Sequence, residues 1–183
     1  MDNTLMTIIG LFLAATLMFV VPLMAMSERN DDISQTVIQT AVSNFVDTVS
    51  NAGAIKPSDY EELNTKLAST GNTFEITIEI QHLDENPGKK GTSTSGDLIG
   101  ENLRYSTFTS ETLEHMFPSD GVADNVTRNY PLKKGDNIIV TVRNTNKTLA
   151  QQLRSIMFKV TGKGTYELYA SSSAMIINTG SNN

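Results

Sequence analysis

A run without any charged residue, from Asn3 to Ser27, most constrains what this chain can fold into. An α-helix rises about 1.5 Å per residue, so roughly 20 apolar residues cross the 30 Å core of a bilayer. A cleaved signal peptide has a basic start and a small-x-small end. This run starts with Met-Asp-Asn and ends with Leu-Met-Ala-Met-Ser. We therefore predict a retained hydrophobic helix, with a cleaved signal and a buried core helix as the alternatives.

The apolar side chains of this helix must be covered by lipid or by other helices, because water does not solvate them favourably. Pro22 lacks a backbone N–H, which predicts a kink there. Arg29 is surrounded by Glu28, Asp31 and Asp32, so flanking charge leaves the orientation open. The predicted membrane or assembly residues are Leu5, Ile8, Ile9, Leu11, Phe12, Leu13, Leu17, Phe19, Val20, Val21, Pro22 and Leu23.

A second helical pattern follows without a strong helix breaker between Ser27 and Ile33. Apolar residues recur there at spacings of three and four, which is typical of one helix face packed on a core. The residues predicted to pack this stalk on a head are Ile33, Val37, Ile38, Ala41, Phe45 and Val49. We predict one helix from Asn3 to Ala52, ended by Gly53 and Pro57. The chain then divides into residues 1–29 (membrane or assembly segment), 30–56 (amphipathic continuation) and 57–183 (head).

The head is predicted to be α+β, with a small antiparallel sheet of three or four strands packed on short helices. Strict alternation in NTFEITIEIQ, residues 72–81, predicts a half-buried strand, and a second strand is expected at Asn137–Arg143. Helices are expected at 58–68, at 110–117 and after Lys147, and a strand closes the chain. Ser58 with Glu61, and Thr148 with Gln151, match the capping box. The last helix is expected to bury Leu149, Leu153, Ile156 and Met157.

The composition leaves little material for catalysis. The net charge is −6 and there is no cysteine, which argues against nucleic-acid binding, disulfides and thiolate sites. A membrane-tethered hydrolase would need His82 or His115, and no Gly-x-Ser-x-Gly motif supports one. Asp120 and Asp124 lack the spacing of a calcium loop. We predict no catalytic residue, no cofactor and no metal site.

The order of elements, with the strand FEITIEI and the run KGDNIIVTVRNTNKTLAQQLRSIMFKV at 134–160, resembles the TadE-like pseudopilins of tight-adherence pilus systems. The resemblance implies a structural pilin or minor-pilin subunit, not an enzyme, of a type IV pilus-like filament or secretion machine. Its head would lie outside the cytoplasm or in a cell-surface filament, and like subunits would contact it through the N-terminal helix. Gly10 and Leu11 would flank the processing site. The alternative is a single-pass anchored binding module whose loop, Asp84–Asn102, meets a partner.

Overall fold

A computed structural model of the protein describes residues 2–83, 104–118, 128–158 and 167–180. The fold is α+β, with one very long N-terminal helix and antiparallel sheets, as the sequence predicts. The elements in chain order are α1 (Asp2–Ala52), β1 (Ala54–Ile55), α2 (Pro57–Ala68), β2 (Phe74–Leu83), β3 (Arg104–Phe108), α3 (Thr109–Met116), β4 (Tyr130–Pro131), β5 (Asn137–Asn144), α4 (Leu149–Phe158) and β6 (Tyr169–Met175).

The main sheet has four strands in the order β3-β2-β5-β6, and every neighbouring pair is antiparallel. Thr77 lies opposite Thr141, which in turn lies opposite Ser171. A second, two-stranded sheet joins β1 to β4. Strand β3 was not predicted from the sequence. The strand is short and its residues, RYSTF, are mostly polar, so the alternation of apolar and polar residues is weak.

The core lies between one face of this sheet and the C-terminal half of α1, with α2 packed beside it. Side chains from β2 and β5 alternate inward, as a half-buried antiparallel sheet requires. The fully buried members include Ile78, Ile80, Ile138, Val140 and Val142 on the strands and Ile38, Val42, Val46 and Val49 on α1.

Ile33 and Val37 do not belong to this core, in contrast to the sequence expectation. Ile33 is 56% exposed and Val37 is 36% exposed, whereas Ile38, Ala41, Phe45 and Val49 are buried. Each residue turns a helix by about 100°, so Ile33 and Val37 lie about 140° and 100° away from Ile38 around α1. The buried stripe continues toward the N-terminus through polar residues instead, namely Ser34, Asp31 and Ser27. Apolar periodicity alone therefore predicts a head-facing stripe on α1 that is wider than the stripe observed.

Helix α1 also covers the outer edge of β6. The Gln35 amide donates to Tyr169 O at 2.5 Å and accepts from Tyr169 N at 3.2 Å. Gln39 Nε2 donates to Ser171 O, and Ser50 Oγ donates to Met175 O at 2.6 Å. An open strand edge invites pairing with other chains. Because these side chains occupy the edge, the helix both supports the sheet and blocks one route to aggregation.

The end of α1 is fixed to the C-terminal segment by close backbone contact at two glycines. Gly53 has a φ of 70°, and a Cβ atom there would collide with the backbone of Asn178 and lie 2.6 Å from Gly180 N. Leu132 joins both segments, because its N–H donates to Gly53 O and its carbonyl accepts from Gly180 N. The turn therefore requires glycine both for its conformation and for space.

The two predicted capping boxes differ in outcome. Thr148 N donates to Gln151 Oε1, and Gln151 N donates to Thr148 Oγ1, both at 3.2 Å, so the box at α4 is confirmed. The box at Ser58 is wrong. Helix α2 starts one residue earlier, with Pro57 in its first turn and Lys56 as the N-cap residue, so Ser58 is already inside the helix and bonds Asp59 instead.

Candidate membrane and assembly surface

The N-terminal half of α1 extends away from the head. Every described side chain from Thr4 to Met26 is exposed except Val20 and Met24, which are partly covered. Phe19, for example, is 75% exposed. Within the described residues this is the one helix long and apolar enough to cross a membrane. Residues 4–26 span about 34 Å, slightly more than a bilayer core.

The predicted assembly residues all lie on this exposed segment. Every described side chain from Thr4 to Phe19 is exposed, and the buried residues of α1 begin at Ser27. An all-round apolar helix cannot remain in water at equilibrium. The surface therefore needs a cover that the described part of the chain does not supply.

Polar side chains inside the segment bond to the helix itself. Thr16 Oγ1 donates to Phe12 O, and Ser27 Oγ donates to Leu23 O, both at 2.8 Å. Such back-bonding satisfies a hydroxyl without water. The segment can therefore lie in an apolar environment without leaving these two hydroxyls unsatisfied.

Two residues in this segment, Pro22 and Gly10, are unusual inside a helix. Helix α1 runs continuously through Pro22, although proline cannot donate a hydrogen bond to the carbonyl of Met18. Gly10 is exposed, and a Cβ atom there would meet nothing within 4 Å. Packing within the chain thus gives no reason for glycine at this position. Cleavage between Gly10 and Leu11 stays a prediction.

The apolar surface continues beyond the charged residues at 28–32. Apolar side chains recur every seven residues along one line of α1, and all are exposed: Leu5, Phe12, Phe19, Met26 and Ile33. A seven-residue repeat is the spacing at which one helix packs along another. Val37 lies beside Ile33 at the end of this line. Since both follow Glu28 and Asp32, a bilayer around residues 4–26 does not reach them.

Helix α4 is docked on α1 at the base of the head. Thr148 Oγ1 donates to Asp31 Oδ2 at 2.7 Å, and both residues are buried. Arg154 donates to Glu28 Oε1 through Nε at 3.0 Å and Nη2 at 2.9 Å. A partly buried guanidinium–carboxylate pair has defined geometry, so these two bonds fix where the head meets the stalk.

A cleft of about 540 Å³ lies at this same junction. It is lined by Met26 and Asn30 of α1, by Asn72 and by Lys147 and Leu149 at the start of α4. Apolar and polar groups share its wall, and its position is directly beside the last apolar turn of the stalk.

The two histidines have structural contacts. His82 Nδ1 lies 3.0 Å from Asp136 Oδ2, and both side chains are largely buried. Asp136 also accepts from Leu83 N and Lys133 N, so it holds the turn before β5. The ring of His115 packs edge-on against Tyr130. His82 is thus held by Asp136, and its sequence neighbour Asp84 lies outside the described residues.

The structure bears on the candidate metal and loop sites only within the residues that it describes. Among the residues that the structure describes, no group of three or more His, Cys, Asp or Glu is placed to hold a metal ion. Asp120 and Asp124, and the loop Asp84–Asn102, lie outside the described residues.

Comparisons with known proteins do not identify a relative: no family model matches the chain, and no curated protein or solved structure is significantly similar to it.

Proposed function

We propose that this protein is a structural subunit of a membrane-associated assembly, in which helix α1 first lies in the bilayer and then packs against the helices of like subunits. The observation that carries the proposal is the exposed apolar line that runs from Leu5 past the charged residues to Ile33. Lipid suits residues 4–26, because their length matches the bilayer. Ile33 and Val37 lie beyond it, so a second helix suits the whole line better than lipid alone.

The finer proposal is a pilin or minor-pilin subunit of a tight-adherence, type IV pilus-like system. It is supported by the resemblance of residues 72–85 and 134–160 to TadE-like pseudopilins. The long helix with a head on its C-terminal half also fits a subunit that is drawn from a membrane into a fibre. Moving α1 from lipid to neighbouring helices keeps its apolar surface covered, so the exchange need not expose it to water. The head would then face away from the cytoplasm.

A charged residue in the stalk tests this proposal. Leu17 lies near the centre of the apolar segment and is exposed. A carboxylate at the centre of a membrane helix costs about 2.5–3.5 kcal/mol, and an unpaired carboxylate is also unfavourable when it is buried between apolar helices. We expect Leu17→Glu to prevent recovery of the protein in sheared surface material, while Leu17→Ile assembles normally. Normal assembly of Leu17→Glu would contradict the proposal.

A segment exchange separates this function from that of a simple anchored binding module. Residues 3–27 are replaced by an unrelated single-pass transmembrane helix of equal length. We expect the chimera to remain in the membrane but to be absent from high-molecular-weight assemblies, because the helix surface is replaced. Full function of the chimera would favour the anchored module, for which any span suffices.

A further inference from the structure

Helix α4 runs along α1 toward the apolar segment. Its capping residue Thr148 bonds Asp31, and six residues later Arg154 bonds Glu28. The chain direction of α4 is therefore opposite to that of α1. The helix continues to Phe158, so its C-terminal end approaches the level at which the uncharged part of α1 ends.

One face of α4 has no cover within the described structure. Ala150 and Gln151 are buried, whereas Leu149 is 51% exposed and Leu153 is partly exposed, and α1 is the element that α4 contacts most. Residues four apart share a helix face, so these two leucines form one apolar strip. Both leucines were predicted to be buried, and for Leu149 this is wrong; the side chains of Ile156 and Met157 lie outside the described part of the structure. The small and polar side of α4 is covered, and its leucine side faces outward.

The height of this strip matches a lipid headgroup layer. Asp31 lies about 7.5 Å beyond Met26 along α1, and Glu28 lies about 3 Å beyond it. The headgroup region adds roughly 5–8 Å to each side of the hydrocarbon core. A bilayer around residues 4–26 therefore reaches α4 with its interface. Apolar side chains of membrane-bound helices are buried at the boundary between headgroups and acyl chains. Because α4 runs along α1 toward Met26, Leu153 lies nearer to that boundary than Leu149.

We propose that α4 is a membrane-contacting helix, whose Leu149–Leu153 strip lies in the lipid headgroup layer, with Leu153 nearer to the acyl chains, while the stalk is in the bilayer. The proposal rests on the membrane-inserted state in the proposed function, but it does not depend on assembly. Lys147 is exposed at the start of the helix, where phosphate groups would be. The neighbouring cleft, with Met26 and Leu149 beside Asn72, offers the same mixture of apolar and polar contacts to a lipid.

A lipid surface fits this strip better than a coiled-coil partner does. Helix α4 has 10 residues, whereas a coiled-coil seam is sustained over about three to four heptads. Exposed Gln152 and the ion pair of Arg154 flank the leucines, which leaves a narrow apolar strip. Contact with lipid also orients the head, because α4 and α1 are joined by two polar contacts at fixed positions.

Single tryptophans measure the depth of α4, because the natural chain has none. Full-length Leu149→Trp, Leu153→Trp, Phe12→Trp and Ile177→Trp variants are placed in vesicles whose lipids carry bromine either near the headgroup or deep in the acyl chain. Ile177 is a matched control, since it is 58% exposed and its N–H bonds Ser50 O at the far end of α1. Circular dichroism checks that each variant keeps its helix content.

We expect the fluorescence of the Phe12→Trp variant to be lost mainly with deep bromine, and that of Leu149→Trp and Leu153→Trp mainly with shallow bromine. Ile177→Trp should keep its emission in both vesicles. If the Phe12→Trp variant is quenched and both α4 variants are not, the proposal is overturned while the membrane anchor stands. A blue-shifted but unquenched α4 tryptophan would mean that protein covers the strip, which also overturns it. Absence of quenching in all four variants would instead contradict the membrane-inserted state.

Discussion

Truncation of Ile38 and Ile33 tests how α1 faces the head. The two residues have the same chemistry and lie five positions apart on one helix, yet Ile38 is fully buried and Ile33 is 56% exposed. Val42 and Val46 beside Ile38 are also fully buried. The cavity that Ile38→Ala would leave is therefore surrounded by packed core residues, and a surface loop would not fill it. Removing a buried isoleucine side chain to alanine costs about 2–5 kcal/mol. Ile33→Ala should change stability by no more than about 0.5 kcal/mol.

Thermal unfolding of the full-length chain in mild detergent measures both variants. For a chain of this size, 1 kcal/mol corresponds to about 2–4 °C in Tm. A loss of about 3 kcal/mol for Ile38→Ala therefore lowers Tm by roughly 6–12 °C. Ile33→Ala should unfold within about 2 °C of the natural protein. Equal losses in the two variants, or no loss in Ile38→Ala, would refute the orientation of α1 described above.

Two further substitutions test the junctions of the head. Gly53→Ala should destabilise the protein by more than Gly71→Ala. Both glycines have positive φ (70° and 76°), but a Cβ atom at Gly53 would also collide with the backbone of another segment, whereas one at Gly71 would meet nothing. The difference in Tm between the two variants therefore measures the effect of that close approach. Similar Tm values for the two variants would contradict it. Thr148→Val removes the α4 cap and the hydrogen bond to Asp31 and should cost about 1–2 kcal/mol. Urea unfolding measures this against Thr40→Val, since Thr40 is exposed and its hydroxyl bonds the carbonyl of Thr36 within the same helix; an unchanged midpoint for Thr148→Val would show that the α1–α4 contact does not depend on this hydroxyl.

Much of the fold follows from local patterns in the sequence. The alternation around Ile76, Ile78 and Ile80 predicts β2. The charge-free run Asn3–Ser27, followed by apolar residues at spacings of three and four as far as Val49, predicts α1. These patterns are long and repeat many times, so tertiary contacts reinforce them and do not override them. The capping box at Thr148 is equally local, and it forms as expected.

The errors occur where tertiary contacts decide. Asp31 is buried because Thr148 donates to it across 117 residues, a contact that no helical periodicity contains. Ile33 is exposed because the head lies on the other side of α1 at that level. Leu149 has the spacing of a core residue, but Ala150 and Gln151 are the buried residues where α4 is docked on α1.

The membrane and assembly surface of α1 is predicted by the sequence only in part. Its existence follows from the absence of charge between Asn3 and Ser27, which is visible in the sequence. Its extension to Ile33 and Val37 is not visible there, because the same two residues match the stripe that faces the head. Only the position of the head around α1 separates the two faces. The sequence therefore predicts the hydrophobic stalk but not which line of it continues beyond the membrane.

We propose that the hydrophobic stalk is retained and becomes part of an assembly. Mass spectrometry of the N-terminus, on protein from native membranes and from sheared surface material, measures whether the stalk is present in both. We expect high-molecular-weight sheared material to contain chains with an intact stalk or a stalk that starts at Leu11. A terminus near Ser27 in that material would contradict it, since the head would then be secreted without its stalk. An intact stalk found in membranes alone would contradict assembly and would leave an anchored module.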